Sequence, residues 1–126
     1  MRLLLDTAVL IFAVEQPGRL SKRATSALVD PANTLELSTI SLVEIAIKVS
    51  LGKLRFGSDD ARDAIEDLGL RVLPFSAEHA FRLFTLPLHH RDPFDRQIIA
   101  QAMEEDIPVL TVDDKFGLYK GLKVVW

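Results

Sequence analysis

Acidic residues recur in this chain at places where apolar, strand-like segments end. Asp6 comes directly after the segment Arg2–Leu5, and Asp113 and Asp114 come directly after the segment Pro108–Val112. One acid of that adjacent pair is expected to cap the next short helix. Carboxylates that converge are ligands for hard cations such as Mg²⁺ and Mn²⁺. A divalent ion held in this way can activate a water and hold a phosphate, so the chemistry indicated is metal-assisted phosphodiester hydrolysis.

Glu44 and Asp6 also have explanations that involve no metal. Glu44 lies about one turn into a helical segment, and Lys48 follows it by four residues. An exposed intrahelical ion pair, worth a few tenths of a kcal/mol, is the better explanation of Glu44 taken alone. Asp6 could equally be a turn residue or a helix cap. Neither acid, considered singly, requires a cation.

Asp95 is harder to explain without a partner, because it lies on the apolar face of its helical segment. Ile98, Ile99 and Ala102 follow it by three, four and seven residues, the spacing of one helix face. A charge on a core-facing stripe needs a partner or a metal, and the first-turn position contributes only about 0.3–1 kcal/mol. Asp92, by contrast, is explained as an N-cap before a proline. A ligand role is therefore favoured for Asp95.

The segments that must position these acids alternate between strand and helix. Such alternation predicts a parallel sheet with helices on both faces, and ligands of such sheets bind at the carboxyl ends of the strands. Strands are predicted at Arg2–Leu5, Leu35–Ile40, Arg71–Leu73, Pro108–Val112 and Leu122–Val125. Helices are predicted at Ser21–Val29, Leu42–Leu51, Asp59–Leu68, Ala77–Phe84 and Pro93–Glu105, with N-caps at Ser58 and Ser76 and helix ends at Gly52 and Gly69.

Acids brought to one sheet edge repel one another. One pair about 4 Å apart costs about 4 kcal/mol at an effective dielectric constant near 20. The cluster therefore persists only if some acids are protonated or if cations bind. The net charge of −3 and the pI of about 5.6 are unlike those of a protein that holds nucleic acid by its own charge. Bound cations would reverse the sign locally.

The bulk composition limits the class of protein. A chain of 126 residues with 48% apolar residues suits a single domain spanning 1–126 with one core. The absence of cysteine excludes disulfides and thiolate metal sites and fits a reducing compartment. No apolar run approaches the roughly 20 residues of a membrane span, and Asp6 ends an N-terminal run too short for a signal peptide. A cytoplasmic protein with no membrane contact is expected.

Four segments resemble the PIN-domain ribonucleases, and within them the VapC-type toxins of VapBC toxin–antitoxin pairs. The third, which contains HRDPFDR followed by IIAQA, is the most specific of them. The segments are Leu3–Thr7, Ser38–Leu54, Leu86–Ala102 and Pro108–Phe116. The resemblance implies a three-layer α/β/α fold around a central, mainly parallel sheet. It also implies an endoribonuclease, dependent on Mg²⁺ or Mn²⁺, that cleaves RNA phosphodiester bonds with a metal-activated water.

The resemblance also implies roles for individual residues. The acids that match the catalytic, metal-binding positions of the family are Asp6, Glu44, Asp95 and Asp113. The supporting positions are Thr7, Ser41, Thr111 and the capping residue Asp92. Relatives often have Trp before the second acid, whereas this chain has Val43, a difference that alters packing but removes no ligand.

Basic residues near the acids are candidates to position the RNA backbone. Lys48 lies one turn after Glu44, Arg96 adjoins Asp95, and His89, His90 and Arg91 precede it. For each of them a solvated charge is an equally good explanation. His89 and His90 could also be zinc ligands, but His79, the third histidine of the chain, lies on another helix, which makes this interpretation weak.

Two other classes of function remain open. A phosphatase of the haloacid dehalogenase type needs a second acid two residues after Asp6, and Ala8 stands there, so this alternative is poor. The other is a module without catalysis, whose acids bind a structural ion or a basic partner.

As partners, the resemblance implies an RNA substrate, a VapB-type antitoxin and a second copy of the chain. The apolar run Leu10–Val14 could contribute to a homodimer, or it could be a helix buried in the monomer.

Overall fold

The computed structural model describes residues 1–126 and contains a five-stranded, entirely parallel sheet. The strands are β1 (Arg2–Leu5), β2 (Thr34–Ser38), β3 (Arg71–Leu73), β4 (Val109–Leu110) and β5 (Val124–Val125). Their order across the sheet is β3-β2-β1-β4-β5, so β1 lies at the centre. In the register, Leu5 lies beside Leu37 of β2 and Leu110 of β4. The ends of these three strands are therefore level, and the residues that follow them start at the same edge.

Six α-helices surround the sheet: α1 (Thr7–Glu15), α2 (Lys22–Val29), α3 (Thr39–Ser50), α4 (Ser58–Asp67), α5 (Ala77–Arg82) and α6 (Pro93–Glu105). Short 3₁₀ helices lie at Pro17–Arg19, Leu83–Thr85 and Asp114–Leu118. None of the helices is long and apolar enough to cross a membrane.

The alternation of side chains along β1 divides the core into two layers. Leu3 and Leu5 join a cluster that includes Val9 of α1, whereas Leu4 joins a second cluster that includes Ile98 of α6. All three leucines are buried, as expected for a central parallel strand covered on both faces. The sheet with helices on both faces confirms the predicted three-layer α/β/α fold.

The structure corrects the predicted boundary between β2 and α3. The sequence predicted a strand as far as Ile40, but β2 ends at Ser38 and α3 begins at Thr39. The hydroxyl of Ser38 accepts a hydrogen bond from the backbone N–H of Ile40, so Ser38 is the N-cap of the helix. The longer helix moves the start of α3 to the sheet edge, two residues before Ser41.

The helix ends decide four other local predictions. Ser76 is an N-cap as predicted, and its hydroxyl accepts from the N–H of His79. The prediction for Ser58 is wrong, because Gly57 is the N-cap and the Asp60 carboxylate accepts from its N–H at 2.8 Å. Gly52 and Gly69 follow the ends of α3 and α4 with positive φ, as helix-terminating glycines do.

A buried ion pair ties the start of β1 to β2. Glu36 is 1% exposed, and its carboxylate accepts from Nε of Arg2 at 2.6 Å and from Nη2 at 3.0 Å. The same guanidinium reaches Glu105 at the end of α6, and the Glu105 carboxylate also accepts from Nε2–H of His79 at 3.2 Å, because Nδ1 of that ring accepts from the N–H of Ser76. The pairing with Glu36 raises the pKa of Arg2. This network lies at the opposite end of the sheet from the acids that follow the strands.

Replacement of Arg2 by Met is expected to destabilise the protein by about 3 kcal/mol, because it leaves the Glu36 carboxylate buried without its partner. Chemical denaturation of the two proteins measures the difference. The double variant Arg2→Met/Glu36→Leu should recover most of the loss, since an apolar pair replaces a desolvated ionic one. Equal stability of R2M and the wild type would show that the pair contributes nothing.

Candidate functional site

The four predicted acids line one cleft of about 320 Å³ at the carboxyl edge of the sheet. They arrive there from four parts of the chain: the end of β1, the second turn of α3, the first turn of α6, and the segment that follows β4. The cleft is lined by Asp6, Glu44, Asp95 and Asp113, together with Thr7, Ala8, Ile11, Lys48, Asp92 and Val112. A larger cleft of about 550 Å³ between α3 and α4 is mostly apolar and contains no acid, so it offers no comparable chemistry.

Asp6 occupies the N-cap position of α1, but its side chain makes no capping hydrogen bond. The carboxylate turns into the cleft instead, where Oδ2 accepts from the Thr111 hydroxyl at 2.7 Å. Asp6 is only 5% exposed. Asp6 is therefore the N-cap residue by position, as one prediction had it, but its side chain points into the cleft and does not cap the helix.

Glu44 does pair with Lys48, but the pair is not the exposed one that the spacing alone suggested. Lys48 Nζ lies 2.6 Å from Glu44 Oε2, and Glu44 is 4% exposed. The second oxygen of Glu44, Oε1, is buried and has no hydrogen-bond partner. An unpartnered carboxylate oxygen is costly inside a protein unless something binds it.

Asp95 and Asp113 meet at a buried histidine. Nε2 of His90 lies 3.1 Å from Asp95 Oδ2 and 2.8 Å from Asp113 Oδ2. One ligand atom from each of these three residues lies within 4.8 Å of the other two. Asp113 is also the N-cap of the following 3₁₀ helix, because its Oδ1 accepts from the N–H of Lys115 at 2.9 Å. The expected cap and the cleft acid are thus the same residue.

The pKa values of two cleft acids are raised by their burial and by the charges of their neighbours. The pKa of Asp95 is raised to about 8, mainly by burial. The negative charges of Asp6, Asp92, Glu44 and Asp113 contribute the rest of this increase. Burial also raises the pKa of Asp6 to about 6, against the hydrogen bonds from the Thr111 hydroxyl and the Thr7 N–H.

The same negative charges also raise the pKa of Lys48. Its hydrogen bond to Glu44 raises the pKa of the ammonium group, and Asp92 and Asp95 add to this effect. The carboxylates therefore share one electrostatic environment that favours positive charge.

This donor set fits a hard divalent cation. Its candidate ligand atoms are carboxylate oxygens, which Mg²⁺ and Mn²⁺ prefer, and one buried oxygen, Oε1 of Glu44, has no other partner. Burial, and to a smaller extent the neighbouring acids, raises the pKa values of Asp6 and Asp95 and so penalises their ionised forms. A cation supplies compensating positive charge without a proton.

The supporting residues lie close to the acids. Thr7 donates its hydroxyl to Ser41 at 2.8 Å, which links the starts of α1 and α3. The Thr111 hydroxyl, besides binding Asp6, accepts from the N–H of Asp113 at 3.0 Å. Asp92 caps α6 by accepting from the backbone N–H groups of the second and third helical residues, so its prediction as a cap is confirmed.

The basic residues are arranged differently from one another. Arg91 is exposed, and Lys48 projects into the cleft. Arg96 instead donates to the backbone carbonyls of Leu86 at 3.3 Å, Pro87 at 3.0 Å and His90 at 3.1 Å. These contacts brace the loop before α6, and the sequence alone gave no sign of them.

His90 lies against two of the cleft acids, in an environment that the sequence did not indicate. It was grouped with the basic residues that would contact RNA, but it is 6% exposed and faces two acids. The signal that pointed to it was its position two residues before the helix cap Asp92 and five before Asp95. His89, its neighbour, is exposed and packs against the edge of the Tyr119 ring.

Comparison with known proteins gives a family match over almost the whole chain. A family model described as "PIN domain" matches residues 3–122. No curated protein matches the chain at the level of sequence.

Solved structures resemble the chain in fold. VapBC2 from Rickettsia felis, crystallised with a DNA fragment from its promoter, has a TM-score of 0.74 at 20% identity, over 98% of this chain and 97% of that one. VapBC-1 from nontypeable Haemophilus influenzae has a TM-score of 0.71 at 18% identity, over 98% and 96%. FitAcB from Neisseria gonorrhoeae has a TM-score of 0.63 at 23% identity, over 97% and 95%. At these identities the likeness establishes the fold.

Proposed function

Because this chain belongs to the PIN domain family, whose members are generally nucleases, we propose that it is an endoribonuclease dependent on Mg²⁺ or Mn²⁺. The observation that carries the proposal is the convergence of four carboxylates in one cleft, with Oε1 of Glu44 buried and unpartnered. PIN nucleases generally use divalent metals, in agreement with this donor set.

We assign the metal-binding role to Asp6, Glu44, Asp95 and Asp113. When bound, the cation lowers the pKa of a water for attack on phosphorus and stabilises the charge of the transition state. The protein's own contribution is to hold the acids in place. The Thr111 hydroxyl fixes one oxygen of Asp6, and the Asp113 N–H fixes the Thr111 hydroxyl in turn.

Lys48 and Arg91 are the residues that we propose to contact RNA phosphates. Lys48 borders the cleft, where its ammonium group can exchange part of its contact with Glu44 for a phosphate oxygen. Arg91 is exposed two residues before α6 begins. We leave Arg96 out of this set, since its guanidinium already binds loop carbonyls.

The proposal is tested by incubating cellular RNA with the purified protein and mapping the new ends. Cleavage is expected with Mg²⁺ or Mn²⁺ and should disappear with EDTA. Asp113→Asn should lower the rate about 10- to 100-fold, because it removes a charge from the cation site while an amide oxygen can still cap the 3₁₀ helix.

Asp114→Asn provides the matched control. It removes the same charge one residue along the chain, from an exposed side chain that does not line the cleft, and should retain the wild-type rate. Equal losses in the two variants would mean that net charge, not the cleft, governs activity. RNA that stays intact with metal-loaded wild-type protein would favour the alternative function, a binding module without catalysis.

We further propose that the chain is the toxin of a type II toxin–antitoxin pair and acts on RNA in the cytoplasm. The support is the fold shared with VapBC structures, among them VapBC-5 from Mycobacterium tuberculosis, which is described as a member of the VapBC family of toxin–antitoxin systems. A VapB-type antitoxin is the partner expected on this basis.

A homodimer is a further prediction, and analytical sedimentation of the purified protein measures its oligomeric state. Of the apolar run in α1, Leu10 is buried in the monomer and Val14 is 45% exposed.

A further inference from the structure

His90 is held in one orientation by contacts from several directions. Its backbone N–H donates to the Tyr119 hydroxyl at 2.9 Å, and its carbonyl accepts from Arg96 at 3.1 Å. The imidazole packs edge-on against Phe116, with ring centroids 5.8 Å apart. Such a ring is not free to turn, so the two ring nitrogens have fixed partners.

Those partners determine where the proton lies on the ring. Nδ1 is 3.2 Å from the backbone N of Asp92, which can only donate, so Nδ1 is an acceptor and carries no hydrogen. The hydrogen of the neutral ring is therefore on Nε2. That N–H is hydrogen-bonded to Oδ2 of Asp113 at 2.8 Å, and Oδ2 of Asp95, on a different element, lies 3.1 Å from the same nitrogen.

The same arrangement excludes His90 as a metal ligand in this orientation. A metal binds the lone pair of an imidazole nitrogen, and Nε2 can offer a lone pair only if the hydrogen moves to Nδ1. A hydrogen on Nδ1 would face the N–H of Asp92. His90 therefore donates a hydrogen bond to the acids and does not join them as a metal ligand.

We propose that His90 is a positioning residue whose Nε2–H holds the carboxylates of Asp95 and Asp113 together in the geometry that lets them share a divalent cation. The inference rests on the metal site of the proposed function. Two carboxylates that repel each other would otherwise separate, because Asp113 is 30% exposed and can turn outward to solvent. With the histidine in place, the cation finds the pair already assembled.

Metal affinity tests this role without reliance on activity. Titration calorimetry with Mn²⁺ is expected to show about 10- to 100-fold weaker binding for His90→Ala than for the wild type. His90→Gln is the conservative control, since its side-chain amide can place an N–H near the position of Nε2 and should restore affinity to within a few-fold. Thermal denaturation of both variants shows whether each is folded before the titration is interpreted.

The position of the hydrogen is measured by ¹⁵N NMR of the histidine side chains. The chain has three histidines, so the signals of His90 are those that the His90→Gln variant lacks. We expect Nε2 protonated and Nδ1 unprotonated, both in metal-free protein and after saturation with diamagnetic Mg²⁺. Transfer of the hydrogen from Nε2 to Nδ1 on addition of Mg²⁺ would show that His90 is a ligand and would overturn the proposal.

The outcomes separate this inference from the function on which it rests. Wild-type protein that binds neither Mn²⁺ nor Mg²⁺ would contradict the metal site, and with it the role of His90. Wild-type protein that binds Mn²⁺, with a folded His90→Ala variant of equal affinity, would overturn the positioning role alone. Weak binding by both His90→Ala and His90→Gln would indicate that the imidazole itself, and not its donated hydrogen bond, is required, and would also overturn it.

Discussion

Asp6→Asn is expected to reduce RNA cleavage on the order of 1,000-fold while the protein remains folded. A metal contributes several kcal/mol of transition-state stabilisation, and each 1.4 kcal/mol corresponds to about a tenfold change in rate. Asp6 lies at the end of the central strand and is 5% exposed, so no other acid of the cleft can take its place. Asparagine has the same shape, and its amide oxygen can still accept from the Thr111 hydroxyl. The rate is measured with excess Mn²⁺ on a defined RNA.

The same substitution is expected to stabilise the metal-free protein. Burial raises the pKa of Asp6 from 3.8 to about 6, so the ionised carboxylate opposes folding at any pH above that value. The difference between the two pKa values corresponds to a cost of about 3 kcal/mol in the free energy of folding. The uncharged amide of asparagine does not carry this cost. Chemical denaturation of the metal-free proteins at pH 7.5 should therefore give a larger free energy of unfolding for the variant than for the wild type.

Loss of activity together with a gain in stability distinguishes a functional carboxylate from a structural one. If Asp6 were a structural residue, its replacement would lower stability, and activity would fall only as far as the folded fraction. Expression in a bacterial host supplies a second readout, since the wild-type chain is expected to arrest growth and the Asp6→Asn variant is not. A folded variant that cleaves RNA at the wild-type rate would contradict the assignment of Asp6.

The sheet was predictable because its strands are buried on both faces. Such strands require continuous apolar runs, and Arg2–Leu5 is such a run, found in the structure with its predicted bounds. Asp95 was predictable as a cleft residue for the converse reason. A carboxylate on an apolar helix face must be accounted for, and the structure places it in the cleft with a raised pKa.

Features that depend on contacts between distant segments were not predictable in the same way. Ser38 is the last residue of β2, and strand periodicity does not reveal that its hydroxyl also caps α3. Arg96 adjoins an acid in the sequence, yet its guanidinium turns to the carbonyls of the loop that precedes the helix. The role of His90 depends on Asp113, 23 residues away, and no local pattern encodes that distance. Pairwise geometry of this kind is fixed by the tertiary fold, not by periodicity.

The metal-free protein is expected to lose stability as the pH rises from about 4 to about 8. The pKa of Asp95 in the folded protein is about 8 and that of Asp6 about 6, both above the ordinary value of 3.8. The folded state therefore holds more protons than the unfolded state throughout this interval, and stability falls with pH. Below pH 4 both states are protonated at these groups and the penalty is absent. Above pH 8 both are ionised and the penalty is complete.

Comparison of Asp95→Asn with the wild type isolates this contribution from that of all other groups. Thermal melts in EDTA at several pH values should give a difference in Tm that favours the variant, grows as the pH rises and levels off near pH 8. Asp114→Asn, with the same change of charge at an exposed position, should show no such trend. A constant difference between Asp95→Asn and the wild type would mean that Asp95 ionises as it does in water.

A divalent cation should reverse the effect of pH on the wild type. At a concentration 100 times its Kd, a ligand of the folded state adds about 2.7 kcal/mol, which for a chain of this size raises Tm by about 10 °C. The increase should be large at pH 8 and small at pH 5, because the acids must lose their protons before they bind a metal. Asp95→Asn should lose most of the increase although its metal-free form is the more stable. The carboxylate that weakens the empty protein is then the one that strengthens the loaded protein, an exchange that a purely structural acid cannot produce.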